Sequence, residues 1–359
     1  MSLPTPRLEI YPSRIEENAR SIVGLCHLHK VQVAGVTKVT CAHPSVVHAL
    51  EAGGVDLLAD SRLENLEAIK QMGIPLPLML TRIPAPSLAA SVVELADISL
   101  NSSFETIRLL SVAAQKQKKT HKVILMVDLG DLREGVWPDH LIETVSKTAA
   151  LPNIEPIGLG SNLACYGGVI PTQEKMQQLI DLRDQCCSTL GVELPILSGG
   201  NSANLPLLAS GGMPPEINQL RIGEAIQLGR NVINRDPWPG TRQDTYKIIA
   251  EVIELERKPS IPIGEYGQDA FGGSPLFVDR GIRLRAICSI GRQDVNIDNL
   301  ETLDPGIRVL GGSSDHLILD VEEAATPVAL GDEIIFLPGY AALLAASTSP
   351  YVHKVVIQD

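Results

Sequence analysis

Along the first two thirds of the chain, short apolar runs of strand length alternate with amphipathic segments of helix length. The runs read QVAGVTK, VDLLAD, LPLML, ADISLN, KVILMVDL, IEPIGLG, ELPILS and INQLRIG. Between them, stretches such as SSFETIRLLSVAAQ and TQEKMQQLIDLRDQCC repeat their apolar positions with the helical period. Ahead of the first run, Ser13 and Glu16 in YPSRIEENARSIVGL have the capping-box spacing, which predicts a helix that Ser13 caps. Eight strand-then-helix units predict a closed parallel (β/α)8 barrel over residues 11–235, an α/β fold, with an open doubly wound sheet as the alternative.

The rhythm stops at NRDPWPGTRQD (residues 234–244), where Pro, Gly and Asp break any helix. Beyond it, TYKIIAEVIEL, GIRLRAICSIG, IRVLGGSSDHLILDV and DEIIFL are strand-like runs divided by Gly and Pro turns, and a helix-like YAALLAAST follows. These features predict a second, mainly β domain built from residues 1–10 and 236–359.

Composition narrows the function. A chain of 359 residues, 44% of them hydrophobic, can bury a substantial core. A net charge of −12 disfavours nucleic acid and anionic membrane as partners, and the one dense basic run, KQKKTHK (residues 116–122), reads as a solvated helix end. Cys26, Cys41, Cys165, Cys186, Cys187 and Cys288 show neither CxxC pairs nor zinc-ligand spacing, which implies a reduced, cytoplasmic chain. His27 with His29 and His43 with His48 lack a carboxylate cluster, so no metal site is expected. The opening MSLPTPRLEI lacks the cationic and apolar regions of a secretion signal. No run reaches the roughly 20 apolar residues of a membrane span.

Chemistry in such a barrel sits at the C-terminal ends of the strands. Those ends carry Lys38, Asp60 with Ser61 and Arg62, Thr81 with Arg82, Asn101, Asp128 and the DLREG loop, Ser161 with Asn162, SGGNS, and Arg221 with Gly223. Strand ends are polar in any barrel, and a lysine there can simply snorkel. Two features go further. SGGNS and RIGEA follow the seventh and eighth strands, where barrel enzymes hold phosphate; successive glycines admit close backbone N–H groups, and Ser202 adds a hydroxyl. Lys38 ends the first strand, which neighbours the eighth once the barrel closes. A lysine beside a bound phosphate compound points to Schiff-base chemistry, with pyridoxal 5′-phosphate or a sugar phosphate as the carbonyl partner.

The motifs VTKVTCAHP, LADSRLENL, ADISLNS, VILMVDLGDLREGVWP, GLGSNLACYGGVIPT, SGGNSANL, LRIGEAIQLGR, IGEYGQDAFG, GSSDHLILDV and TSPYV run nearly end to end. Together they resemble the alanine/ornithine racemase family of fold-type III pyridoxal-phosphate enzymes, the ornithine branch more than the ordinary alanine racemases. The resemblance implies pyridoxal 5′-phosphate as cofactor and an amino-acid substrate, ornithine or another basic one. It also implies a head-to-tail homodimer whose β domain covers the partner's barrel mouth. Lys38 would hold the cofactor and act as one of two acid/base groups. Ser202, the backbone at Gly223 and Glu224, and Tyr340 would bind the phosphate, and Asn162 and Asn201 would also contact the cofactor. Arg133 would lie near the cofactor hydroxyl and the substrate carboxylate. Arg221 would face the pyridine nitrogen, and since arginine has no proton to give, that nitrogen stays unprotonated and return of the Cα proton is favoured over transamination.

Three positions depart from the alanine racemase pattern. Met126 stands where a carbamylated lysine often supports the arginine, and Asn162 replaces a histidine that stacks on the ring. IGRQDV (residues 290–295) replaces the segment that gives the partner's catalytic tyrosine, and offers Arg292 instead. A second base must still oppose Lys38. His316, Asp315 and Tyr266 are the expected sources, imidazole being the side chain that titrates near neutrality. Asp269, Asp315 and Glu265 are the expected partners of a distal substrate ammonium. The rival readings are an alanine racemase and a fold-type III decarboxylase, although decarboxylases usually carry a cysteine beside the aspartate where this chain reads Ser313-Ser314-Asp315. Barrel-only cofactor-handling proteins lack a C-terminal β domain.

Overall fold

The computed structural model describes residues 3–274 and 276–358. The chain divides into two compact units: Pro12–Gln243 forms one, and the segments on either side of it form the other.

All eight apolar runs are strands of a closed parallel barrel. After β1 (Arg7–Ile10), which belongs to the second unit, come β2 (Gln32–Val36), β3 (Leu57–Asp60), β4 (Leu78–Leu80) and β5 (Ile98–Asn101). They are followed by β6 (His121–Met126), β7 (Ile154–Gly160), β8 (Ile196–Gly200) and β9 (Gln219–Ile222), which pairs back onto β2. Ala34, Val36, Leu57, Ala59, Met79, Leu100, Ile124 and Met126 fill the barrel interior. Burying a leucine or isoleucine this completely contributes about 1.5–3 kcal/mol each.

Side-chain alternation then assigns the remaining faces. Arg221 is in register with Ala34, and Gln219 with Ser198, so Arg221 and Ser198 point into the barrel. Ser99 and Asn101 flank inward-facing Leu100 and point outward. Asn101 Nδ2 donates to the Ser99 carbonyl and hydroxyl at 3.1 and 2.9 Å. The expectation that Asn101 joins the mouth is therefore corrected by the strand's own period.

The helix Pro12–Leu28 starts on its proline, whose fixed φ suits a first turn, so Ser13 stands inside that turn and not ahead of it. Residues 236–243 stay with the barrel unit. Asn18 Nδ2 donates to the Arg242 carbonyl at 2.8 Å, and Gln243 Nε2 donates to the Gly229 carbonyl at 2.9 Å.

The second unit is a mostly antiparallel sheet of β10 (Tyr246–Pro259), β11 (Ile282–Cys288), β12 (Leu300–Thr302), β13 (Arg308–Gly312), β14 (Leu317–Asp320), β15 (Glu333–Pro338) and β16 (His353–Val356). Its order is β12-β15-β10-β11-β14-β13. β1 pairs antiparallel with β10 and parallel with β16, so both ends of the chain lie side by side. The run IRVLGGSSDHLILDV is a hairpin of β13 and β14 turning at residues 313–316. YAALLAAST is the helix Tyr340–Thr348.

Candidate active site

The rim at the C-terminal ends of the barrel strands is built in three sectors. In the first, the chain leaves β2 at Val36, and Thr37 turns out of the extended region (φ −95°, ψ −10°) into the single 3-10 turn Lys38–Thr40. The expected strand-end lysine thus sits two residues beyond the strand, exposed. The turn is held from below. The Thr37 hydroxyl donates to Asp60 Oδ2 at 2.6 Å, and Asp60 Oδ1 accepts the Ser61 and Arg62 amides and Asn65 Nδ2. Asp60 is wholly buried, and desolvation pushes its carboxyl up despite those four bonds. Asp60 therefore braces the rim rather than facing a ligand.

The second sector joins the loops after β8 and β9. Gly200 has φ +147°, and a Cβ there would lie 2.3 Å from Asn204 Oδ1, so only glycine lets the chain turn here. Asn201 Oδ1 then accepts the Ala203 amide at 2.8 Å, while its Nδ2 donates to the Leu163 carbonyl at 2.8 Å and to Asn162 Oδ1 at 3.2 Å. Ser202 Oγ accepts the Ala225 amide at 3.3 Å, which brings Ser202 against Gly223 and Glu224. Gly223 approaches Val36 so closely that an added Cβ would lie 3.2 Å from the valine Cβ. Glu224 pairs with Arg235, and burial raises its carboxyl pKa while the charges of Arg235 and Lys38 lower it. The Lys38 charge is thus felt at the β9 loop, as closure of the barrel requires.

The third sector is cationic. Arg221 is 5% exposed; one terminal nitrogen donates to the Ser161 carbonyl at 2.6 Å and the other to the Ser198 hydroxyl. Desolvation lowers its pKa to about 10, so it remains a cation at neutral pH. Glu134 lies close enough to oppose that lowering. Glu134 also chelates Arg133 through both carboxylate oxygens, and Arg133 donates to Cys165 Sγ at 2.7 Å. Glu134 and the buried Asp131 had no assigned role in the sequence; the signal for both was a pair of carboxylates flanking an arginine in a glycine-bounded loop. Asn162 contributes a buried Nδ2 with no hydrogen-bond partner among the described residues.

The other expected residues belong to the second unit. Asp315 and His316 are exposed on the 313–316 turn, where Ser314 donates to Asp315 at 2.7 Å and Ser313 Oγ lies 3.4 Å from His316 Nδ1. The Arg292 amide donates to the Ser313 carbonyl at 2.9 Å, so IGRQDV lies against SSDH. Asp269 Oδ1 accepts the Phe271 and Gly273 amides at 2.9 and 2.7 Å, and the Arg292 guanidinium stands 5.4 Å from the Phe271 ring centre. Asp269 and the Asp315–His316 turn thus flank one arginine. Tyr266 is exposed and spends its hydroxyl proton on the Pro262 carbonyl at 2.7 Å. Tyr340 is half-buried at the first position of its helix. Among the described residues, no three His, Cys, Asp or Glu side chains group to hold a metal, and no helix is long and apolar enough to cross a membrane.

A closed parallel barrel with an amine, two glycine-bearing loops and a buried arginine on its rim, followed by a separate β unit, defines an alanine racemase-like architecture. The family described as alanine racemase, N-terminal domain, matches residues 10–230, and the chain belongs to it. Over 353 residues the chain is 42% identical to an ornithine racemase of Acetoanaerobium sticklandii, covering 98% of this chain and 99% of that one. It is also 42% identical over 350 residues to a lysine racemase of Thermotoga maritima, covering 98% of each. Among solved structures, an alanine racemase of Clostridium difficile 630 superposes with a TM-score of 0.74 at 19% identity, covering 100% of this chain and 97% of that one. A D-threonine aldolase from Filomicrobium marinum gives a TM-score of 0.74 at 17% identity, over 96% and 89% of the two chains. The last two likenesses concern the fold alone.

Proposed function

We propose that this chain is a pyridoxal-phosphate-dependent racemase that interconverts the L and D forms of ornithine, lysine or a similar basic amino acid. The observation that carries this reading is the end-to-end similarity to an ornithine racemase and a lysine racemase. The rim residues fit the cofactor: an exposed amine on Lys38, a hydroxyl and close backbone at Ser202 and Gly223, a buried arginine, and an Asn162 Nδ2 without a partner among the described residues. Bound pyridoxal phosphate supplies an electron sink that acidifies the Cα–H bond of an amino acid.

The protein's own groups do the rest. Ser202, with the backbone at Gly223 and Glu224 and with Tyr340, holds the phosphate. Asn162 and Asn201 would also contact the cofactor. Arg221 would keep a cation, without a transferable proton, at the ring nitrogen. Arg133 takes the substrate carboxylate. Lys38 removes or returns the Cα proton on one face. His316, Asp315 or Tyr266 does so on the other, and Asp269 or Asp315 meets the distal ammonium. The second unit would serve the partner's barrel in a head-to-tail homodimer. All six cysteines are free, in keeping with a reducing cytoplasm.

The test is to incubate the purified protein with L-ornithine, L-lysine, L-arginine and L-alanine, then separate the enantiomers and trap released carbon dioxide. Basic amino acids should approach equal amounts of D and L with no gas. Inversion of alanine alone would make it an alanine racemase, and carbon dioxide would make it a decarboxylase.

A further inference from the structure

Asp131 is wholly buried, although its neighbours Leu132 and Arg133 are exposed. Its carboxylate reaches across to the loop after β7. Oδ1 accepts the amides of Cys165 and Val169 at 3.4 and 3.2 Å, and Oδ2 accepts that of Tyr166 at 2.9 Å. Burial pushes the carboxyl up, but the amides of Tyr166, Val169, Gly167 and Cys165 outweigh it, so its pKa lies below the usual range. The two loops touch at the backbone as well, for a Cβ on Gly167 would lie 2.8 Å from the Asp131 carbonyl oxygen. Two residues further on, Arg133 meets Cys165 of the same pinned loop at 2.7 Å, with its other edge on Glu134. Beneath them Met126 is buried among apolar barrel residues and offers Arg133 no charged partner.

We propose that Asp131 is a positioning residue: by fastening the loop after β7 to the loop after β6, it sets Arg133 where the substrate carboxylate must bind. This rests on the racemase reading above. An ionised carboxylate suits the task because its two oxygens can gather several amide donors, whereas asparagine would turn an NH2 group toward one of them.

The test is Asp131→Asn, read in two ways. Hydrogen exchange at amides 165–169 should quicken by about tenfold or more, with or without cofactor. The KM for the basic amino acid should rise about tenfold while kcat changes by less than about threefold. In an Arg133→Ala background the same change should add no further KM penalty, because both act through one contact. Gly167→Ala, which drives a methyl into the Asp131 carbonyl, should reproduce the KM rise even if the asparagine variant fails to fold. An unchanged KM despite fast exchange, or a full penalty in the Arg133→Ala background, would overturn the positioning role and leave the racemase reading standing. If the wild-type protein racemises no amino acid, the racemase reading fails first and the positioning role falls with it.

Discussion

Thr37 and Asp60 are joined by a buried hydrogen bond of 2.6 Å, one residue ahead of Lys38. The bond ties the turn that carries the amine to the start of the helix Leu63–Gln71 that follows β3, through a carboxylate that also gathers the Ser61 and Arg62 amides. Thr37→Val keeps the shape and removes the donor. It should cost about 1–3 kcal/mol of stability, the usual cost of stranding one buried acceptor. It should also lower kcat more than it raises KM, because the amine is less well placed. Denaturant unfolding and steady-state racemisation check both, and an unaltered kcat would show that Lys38 needs no such brace.

Arg221 spans Ser161 and Ser198 with two terminal nitrogens, a reach that lysine's single ammonium cannot match. Arg221→Lys should lose about 1–3 kcal/mol of stability, since a buried acceptor is left unpaired. On the proposed reading it would also place a transferable proton near the ring nitrogen. Racemisation should slow, and the fraction of cofactor lost to the amine form per turnover should rise, as followed by absorbance. A lysine variant with native product purity would contradict the role given to the guanidinium.

Acid sensitivity should trace in part to His121, 2% exposed and 2.7 Å from Ser99 Oγ. Burial holds its pKa down at about 4, against an ordinary value of 6.5. The unfolded chain therefore takes up this proton first as pH falls. The stability it represents is intact above 6.5 and lost as pH drops towards 4, on the order of 3 kcal/mol in all. His121→Gln keeps a partner for Ser99 but does not titrate. Its melting temperature should fall less than the wild type's between about pH 7 and pH 4.5; parallel curves would clear His121.

Two-base chemistry has an isotopic signature. In heavy water, loss of the base opposite Lys38 should leave Cα exchange in one enantiomer while slowing inversion about a hundredfold or more. His316→Ala, Asp315→Asn and Tyr266→Phe test the three candidates separately. Should all three invert ornithine or lysine at the native rate, the second base lies elsewhere than on these three residues.

Much of the barrel is legible in the sequence because β2 to β9 announce themselves locally, as apolar runs cut by turn residues. Lys38, Ser202 and Arg221 are legible for the same reason: the order of strand ends maps onto the rim. What is not legible is non-local. β1 and β16 are four residues each and gain their meaning only by distant pairing, β16 with β1 and β1 with both β16 and β10. Asn101 closes its strand like a rim residue, yet alternation turns it outward. Asp131 looks like any loop aspartate until the loop after β7 folds over it. The first helix begins two residues earlier than a cap at Ser13 would place it, because Pro12 starts it.

The most direct measurement is to reduce the purified protein with borohydride and map the attached cofactor by peptide mass. The expected result is a single pyridoxyl-phosphate adduct on the tryptic peptide spanning Lys38, with cleavage blocked at that residue and any yellow colour lost. An adduct on another lysine, or none on a protein that still racemises ornithine or lysine, would contradict the assignment of the reaction to Lys38.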